Sequence, residues 1–156
     1  MELNSKLDNA IGLAWRVHYG QTDKQGEPYI LHVMRVVERV RELGWKGDYL
    51  VTAVLHDVLE DGTPPPSVDE LKGLFGSRVA AAVVALTKRD NESYEDYIGR
   101  VVKNQIALRV KLEDIEDHLS RDDAEQFFKY KKYLEAKERL LGVLRGNHVE
   151  RDHATV

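Results

Sequence analysis

Cysteine is missing from all 156 residues, which removes disulfides, thiolate nucleophiles and zinc-ribbon sites together. Any metal must be bound through histidine and carboxylate, and the lack of thiols fits a reducing cytosol, so a cytoplasmic location is expected. No apolar run approaches the roughly 18 residues that a membrane span needs. The first 13 residues also lack a cationic start followed by an apolar stretch, so neither insertion nor secretion is expected. Blocks of one charge sign are absent too. The formal charge of −4 arises from intermixed acids and bases, leaving no basic stripe for nucleic acid or a membrane surface. Repeats and low-complexity tracts do not occur, and three of the four prolines are gathered in Pro64-Pro65-Pro66.

What is present is a charged fraction of 32%, above the ordinary quarter, beside an apolar fraction of 42%, the balance of a globular domain with a wet surface. The length suits one domain, expected over residues 1–145, with a loose polar tail at 146–156. Leu3, Leu7, Ile11 and Ala14 recur at helical spacing and predict a helix to about His18. Val33, Val36, Val37, Val40 and Leu43 mark a second helix, which Gly44 stops. Asp48 is placed to cap a third, carrying Leu50, Val51, Val54, Leu55 and Val58 onward to Asp61. Gly62 and the proline run then force a break, and Ser67 can cap a short helix through Phe75. The alanines within Val79 to Leu86 favour a buried helix over a strand. Further helices are expected over Ser93 to Lys103 and Gln105 to Ser120, and a last one from Asp122 or Asp123 to about Leu144. The fold class is therefore all-α, a bundle of about eight helices.

Chemistry concentrates in His56-Asp57-Val58-Leu59-Glu60-Asp61, where four polar side chains share one end of an otherwise apolar helix. Such an end must emerge from the core or line a cavity where charges are compensated. An imidazole and an adjacent carboxylate can reach one cation if other helices add ligands, and His32 and Asp114 are the candidates. Two histidines and two carboxylates suit a divalent transition ion such as Mn²⁺, with positions open to water and a phosphate oxygen. Glu60 and Asp61 could orient the water or protonate a leaving oxygen. A His-Asp pair by itself is a weak signal, since short motifs recur by accident. His18 reads as a structural histidine, and His148 and His153 as solvated ones.

The order of the motifs adds what the pair alone does not. His18-Tyr19-Gly20-Gln21, then Gly26-Glu27-Pro28-Tyr29-Ile30-Leu31-His32, then Ala53 to Asp61, Phe75-Gly76, Leu86-Thr87-Lys88 and Val110-Lys111-Leu112-Glu113-Asp114 follow in sequence. This series resembles the hydrolase domain of the RelA/SpoT family, over roughly residues 3 to 144. The resemblance implies an all-α HD domain standing alone as a small alarmone hydrolase. It also implies Mn²⁺ held by His32, His56, Asp57 and Asp114, with Glu60 and Asp61 as the catalytic acid pair. The implied reaction removes the 3′-pyrophosphate of guanosine tetra- or pentaphosphate, giving GDP or GTP, with Lys24 near the substrate phosphates.

Three departures fall where the family touches its nucleotide. Asp23 stands at a position that is usually arginine, and an acid neither stacks on a base nor attracts phosphate. Ile115-Glu116-Asp117-His118 follows Asp114 in place of the usual Arg-Leu-His-Asn, so His118 replaces an asparagine that contacts substrate and could itself donate a hydrogen bond. Arg121 replaces a small hydroxyl residue and could return the cation lost at position 23. Other expectations compatible with these changes are the same metal chemistry on another nucleotide, such as NADPH 2′-phosphate, a nucleoside monophosphate or a deoxynucleotide, or nucleotide binding without turnover. The partner in every case is a small nucleotide, and the sequence leaves the oligomeric state open.

Overall fold

The computed structural model describes residues 3–121 and 127–154, and side chains over 5–121 and 131–146. The described residues form nine helices and no strand: α1 (Leu3–Val17), α2 (Ile30–Glu42), α3 (Asp48–Leu55), α4 (Val58–Asp61), α5 (Val68–Phe75), α6 (Ser77–Ala85), α7 (Tyr94–Val101), α8 (Gln105–Arg121) and α9 (Phe127–Ala154). An isolated bridge between Thr22 and Pro28 is their only β pairing.

Helix α3 occupies the centre. Val51 to Leu55 are all buried, the pattern of a helix apolar on every side, and it packs against α1, α2, α6 and α8. Around it, α2 turns Val33, Val36, Val37 and Val40 inward, and α8 contributes Ala107, Val110 and Ile115. Because Leu55 is fully enclosed, Leu55→Ala is expected to remove about 2–5 kcal/mol of unfolding free energy, read by urea denaturation.

Local signals set the helix starts. The Ser67 hydroxyl accepts from the Glu70 N–H and the Ser93 hydroxyl from the Asp96 N–H, each at 3.0 Å, while Asn104 Oδ1 accepts from the Ala107 N–H at 2.9 Å. Asp48, expected as a cap, lies instead in the first turn of α3, and Gly47 at φ 61° takes the cap position. Gly62 ends α4 where no side chain fits, since a Cβ there would stand 2.2 Å from the Val58 carbonyl oxygen.

Two boundaries differ from expectation. The helix predicted to run through to Asp61 breaks at His56-Asp57, with Asp57 at φ −109° and ψ 3°, and this break makes nine elements out of about eight. The carbonyl that a continuous helix offers to the Asp57 N–H, that of Ala53, accepts from Nδ1 of His56 at 2.7 Å. The residues expected as a tail from 146 onward continue α9 as far as Ala154. The predicted start of that helix at Asp122 or Asp123 lies outside the described residues.

Candidate active site

The break between α3 and α4 aims His56 and Asp57 at α2 and α8, which deliver His32 and Asp114 to the same point. His32 Nε2 lies 2.9 Å from Asp114 Oδ1 and 4.0 Å from Asp57 Oδ2. His56 Nε2 lies 2.9 Å from Asp57 Oδ2 and 3.5 Å from Asp114 Oδ1. Atoms bound at about 2.1 Å on neighbouring positions of one ion stand roughly 3.0–3.4 Å apart, so this spacing suits a common divalent cation. All four residues are buried.

Tautomers support the same reading. With His56 Nδ1 donating to Ala53, Nε2 presents a lone pair, and this buried atom has no hydrogen-bond partner. His32 Nδ1 is held by Asp117 Oδ2 at 2.7 Å, which directs its Nε2 inward in the manner of a carboxylate-oriented metal ligand. Asp117 is in turn gripped by Arg35 at 2.9 Å. Lone pairs from two imidazoles and two carboxylates thus converge where only a proton or a cation can reconcile them. Two overlapping groups here have the spacing to hold a metal ion, His32 with His56 and Asp57, and His32 with Asp114 and His118.

Burial opposes charge on His32, but hydrogen bonds to Asp114 and Asp117 prevail and push it up to about 9. His56 is likewise raised despite its burial, through the negative charges of Asp57 and Asp114 beside it. Asp57 is held down, its burial outweighed by His56, and its Oδ2 accepts from the Tyr29 hydroxyl at 2.5 Å. Asp114 is held far down against its burial by Lys111, whose Nζ donates to Oδ2 at 2.7 Å, and by its histidines.

Beside the cluster opens a cavity of about 190 Å³. Glu60 and Asp61 form its acidic wall, with one oxygen of each within 4.8 Å of Asp57. Enclosure by the cavity and the charge of Asp57 raise both carboxyls. Lys88, Lys111 and Lys132 line the same cavity, as do Tyr94 and Tyr97. Lys132 Nζ sits 4.0 Å from the Tyr94 ring centre. Lys88 is carried on a loop clamped by Arg100, which donates to the Thr87 carbonyl at 2.8 Å and to Glu92 at 2.6 and 2.7 Å. The acid pair is braced from the turn that follows α1: His18 Nδ1 meets Gln21 Oε1 at 2.9 Å, and Gln21 Nε2 donates to the Asp61 carbonyl at 2.6 Å.

Residues 10–136 match the model of the HD domain. The chain belongs to the HD domain family. This HD-domain chain is 32% identical over 122 residues to a guanosine-3′,5′-bis(diphosphate) 3′-pyrophosphohydrolase of Aquifex aeolicus (strain VF5), which covers 73% of the chain and 17% of that relative. It is 36% identical over 91 residues to the bifunctional (p)ppGpp synthase/hydrolase SpoT of Escherichia coli (strain K12), covering 58% of the chain and 13% of that relative. The chain therefore spans less than a fifth of the length of these two curated relatives. A solved structure described as a metazoan ortholog of SpoT that hydrolyzes ppGpp has the same fold, with a TM-score of 0.70 at 23% identity, over 94% of this chain and 98% of that one.

Of the residues singled out from the sequence, the HD-domain structure brings His32, His56, Asp57 and Asp114 together and sets Glu60, Asp61 and His118 on the adjoining cavity. Lys24 and Arg121 do not line that cavity. Arg121 donates to Glu27 at 2.6 Å and to Gln25 at 3.0 Å, closing α8 against the 22–28 loop. Asp23 is turned into its own loop, where Oδ1 accepts from the N–H groups of Gln25 and Glu27, each at 2.9 Å. Sequence reasoning assigned no role to Tyr29, Lys88, Lys111, Asp117 or Lys132. Lys111 and Asp117 were within reach of it, because each stands three residues from Asp114 and so shares its face of α8.

Proposed function

We propose that this HD-domain protein is a metal-dependent phosphohydrolase acting on a nucleotide, with guanosine tetra- or pentaphosphate as the leading substrate and GDP or GTP plus pyrophosphate as products. The observation that carries the reading is the convergence of His32, His56, Asp57 and Asp114 beside a cavity lined by an acid pair and three lysines. The four converging residues would hold the ion, taken to be Mn²⁺, which suits a mixed imidazole and carboxylate set. When bound, it would polarise a phosphoryl oxygen and make water more acidic. Lys88, Lys111 and Lys132 would neutralise the phosphate chain, and Glu60 and Asp61 would take the proton of the attacking water and return one to the leaving oxygen.

Incubation of Mn²⁺-loaded protein with guanosine tetraphosphate is expected to release GDP and pyrophosphate, read by chromatography. No product above background from this or any nucleotide in a panel would overturn the phosphohydrolase reading. Turnover confined to another nucleotide would keep the chemistry and move the substrate. One observation favours that second outcome: Asp23 and Arg121 are both engaged within the 22–28 loop. A family arginine is thus replaced by an acid that shapes the loop, and Arg121 does not supply the missing cation to the cavity. NADPH, nucleoside monophosphates and deoxynucleotides therefore belong in the panel.

A further inference from the structure

His118 stands one turn beyond Asp114 on α8, and its Nε2 lies 3.3 Å from Asp114 Oδ1. That oxygen is the one already faced by His32 Nε2 at 2.9 Å and His56 Nε2 at 3.5 Å. Three imidazole nitrogens thus surround one carboxylate oxygen. A purely ionic account explains this poorly, because Oδ2 of the same carboxylate is matched by the buried Lys111 ammonium. Further imidazolium charges would repel each other, with the His118 and His32 ring centres 4.6 Å apart and those of His32 and His56 5.5 Å apart. One cation accepting a lone pair from each ring removes the conflict. Tyr133 steadies the His118 ring in this orientation, the two rings stacking at 5.0 Å with 11° between planes. His32, Asp114 and His118 together meet the spacing of a metal-binding group.

We propose that His118 is a fifth protein ligand of the metal, making a centre of three imidazoles and two carboxylates where the family pattern supplies asparagine at this position. The inference rests on the metal reading of the cluster. Two consequences follow. Imidazole suits later divalent ions better than it suits Mn²⁺, so the added nitrogen shifts preference toward Co²⁺, Ni²⁺ and Zn²⁺. A further protein ligand would also leave fewer positions for water and phosphate, so the phosphates would depend more on the lysines that line the cavity, Lys88, Lys111 and Lys132.

The test titrates Co²⁺, Ni²⁺ and Mn²⁺ into the metal-free protein and into His118→Asn, His118→Gln and His56→Asn, by competition with a chromophoric chelator and by the visible spectrum of the Co²⁺ form. Thermal melts confirm that each variant is folded. For both His118 variants, Co²⁺ and Ni²⁺ affinity is expected to fall by at least the roughly tenfold that loss of a partner to a metal ligand costs, Mn²⁺ affinity by less, and the Co²⁺ bands are expected to shift. Unchanged affinities and spectrum in the His118 variants, with His56→Asn impaired, would overturn the fifth ligand and leave the four-residue centre standing. A weakened nucleotide affinity with no change in metal binding would do the same and return His118 to substrate contact. Wild-type protein that takes up no ion would overturn both readings.

Discussion

Asp57→Asn is expected to strip the protein of its metal and of its phosphohydrolase activity in one step. The carboxylate sits at the α3–α4 break with Oδ2 2.9 Å from His56 Nε2, 4.0 Å from His32 Nε2 and 2.5 Å from the Tyr29 hydroxyl. An amide keeps the shape but loses the negative charge, and it presents the ion with a neutral oxygen or with an N–H₂ group that repels it. The affinity for a divalent ion should fall by more than the roughly 10- to 100-fold cost of losing a partner to a ligand. Loss of several kcal/mol of electrophilic assistance should then lower turnover by about 10³-fold or more. The measurement is metal content by mass spectrometry after gel filtration, paired with product release. Full metal content in the variant would mean that the cluster is a structural ion-pair network, and the proposed function would fall with it.

The scaffold that holds this cluster was largely legible from spacing. Val33, Val36, Val37 and Val40 recur with helical period and are all buried, and the alanines between Val79 and Leu86 lie in α6 as their composition suggested. The break at His56-Asp57 was hidden, because Val54, Leu55 and Val58 continue the apolar pattern straight across it. What interrupts the helix is competition for one carbonyl, that of Ala53, by the His56 imidazole, and periodicity carries no record of such a contact. The end of α9 was misjudged for a different reason. Gly146 and the polar residues beyond it suggested a stop, yet glycine inside a helix costs only about 1 kcal/mol against alanine and ends one mainly by adopting positive φ. Neither Gly142 nor Gly146 does so, and the helix runs on.

The site was legible in part. The motif order and the family resemblance pointed to His32, His56, Asp57 and Asp114, and their convergence is a property of the fold. The lysine wall was not visible, because residues 88, 111 and 132 reach it from the loop after α6, from α8 and from α9. No local pattern joins them. Lys111 gave the nearest hint, being a cation on the apolar face of α8 that needs a buried acid, and Asp114 is that acid. Asp23, read as a departure from the family pattern, is committed within its own loop, since it has backbone donors two and four residues away to satisfy. An aspartate in a tight loop serves such donors before it meets a ligand.

Glu60→Gln separates the acid pair from the metal centre, and its expected signature is a slow enzyme that still holds its ion. Glu60 faces the cavity through the first turn after the break, with an oxygen within 4.8 Å of Asp57 and of Asp61. Enclosure by the cavity walls, then the charges of Asp57 and Asp61, raise its carboxyl, which brings its titration closer to neutrality and suits it to exchanging protons. Glutamine preserves length and hydrogen bonding while abolishing that exchange. The rate of the chemical step should drop by about 10²- to 10⁴-fold, the range expected for loss of a general acid or base, with stoichiometric metal retained. Nucleotide affinity should hold or improve, since one negative charge leaves a pocket that receives phosphates. Single-turnover kinetics and metal analysis on the same sample read both properties. Loss of the ion in this variant would make Glu60 a ligand and not a proton carrier, whereas an unchanged rate would leave Asp61 to carry the proton alone.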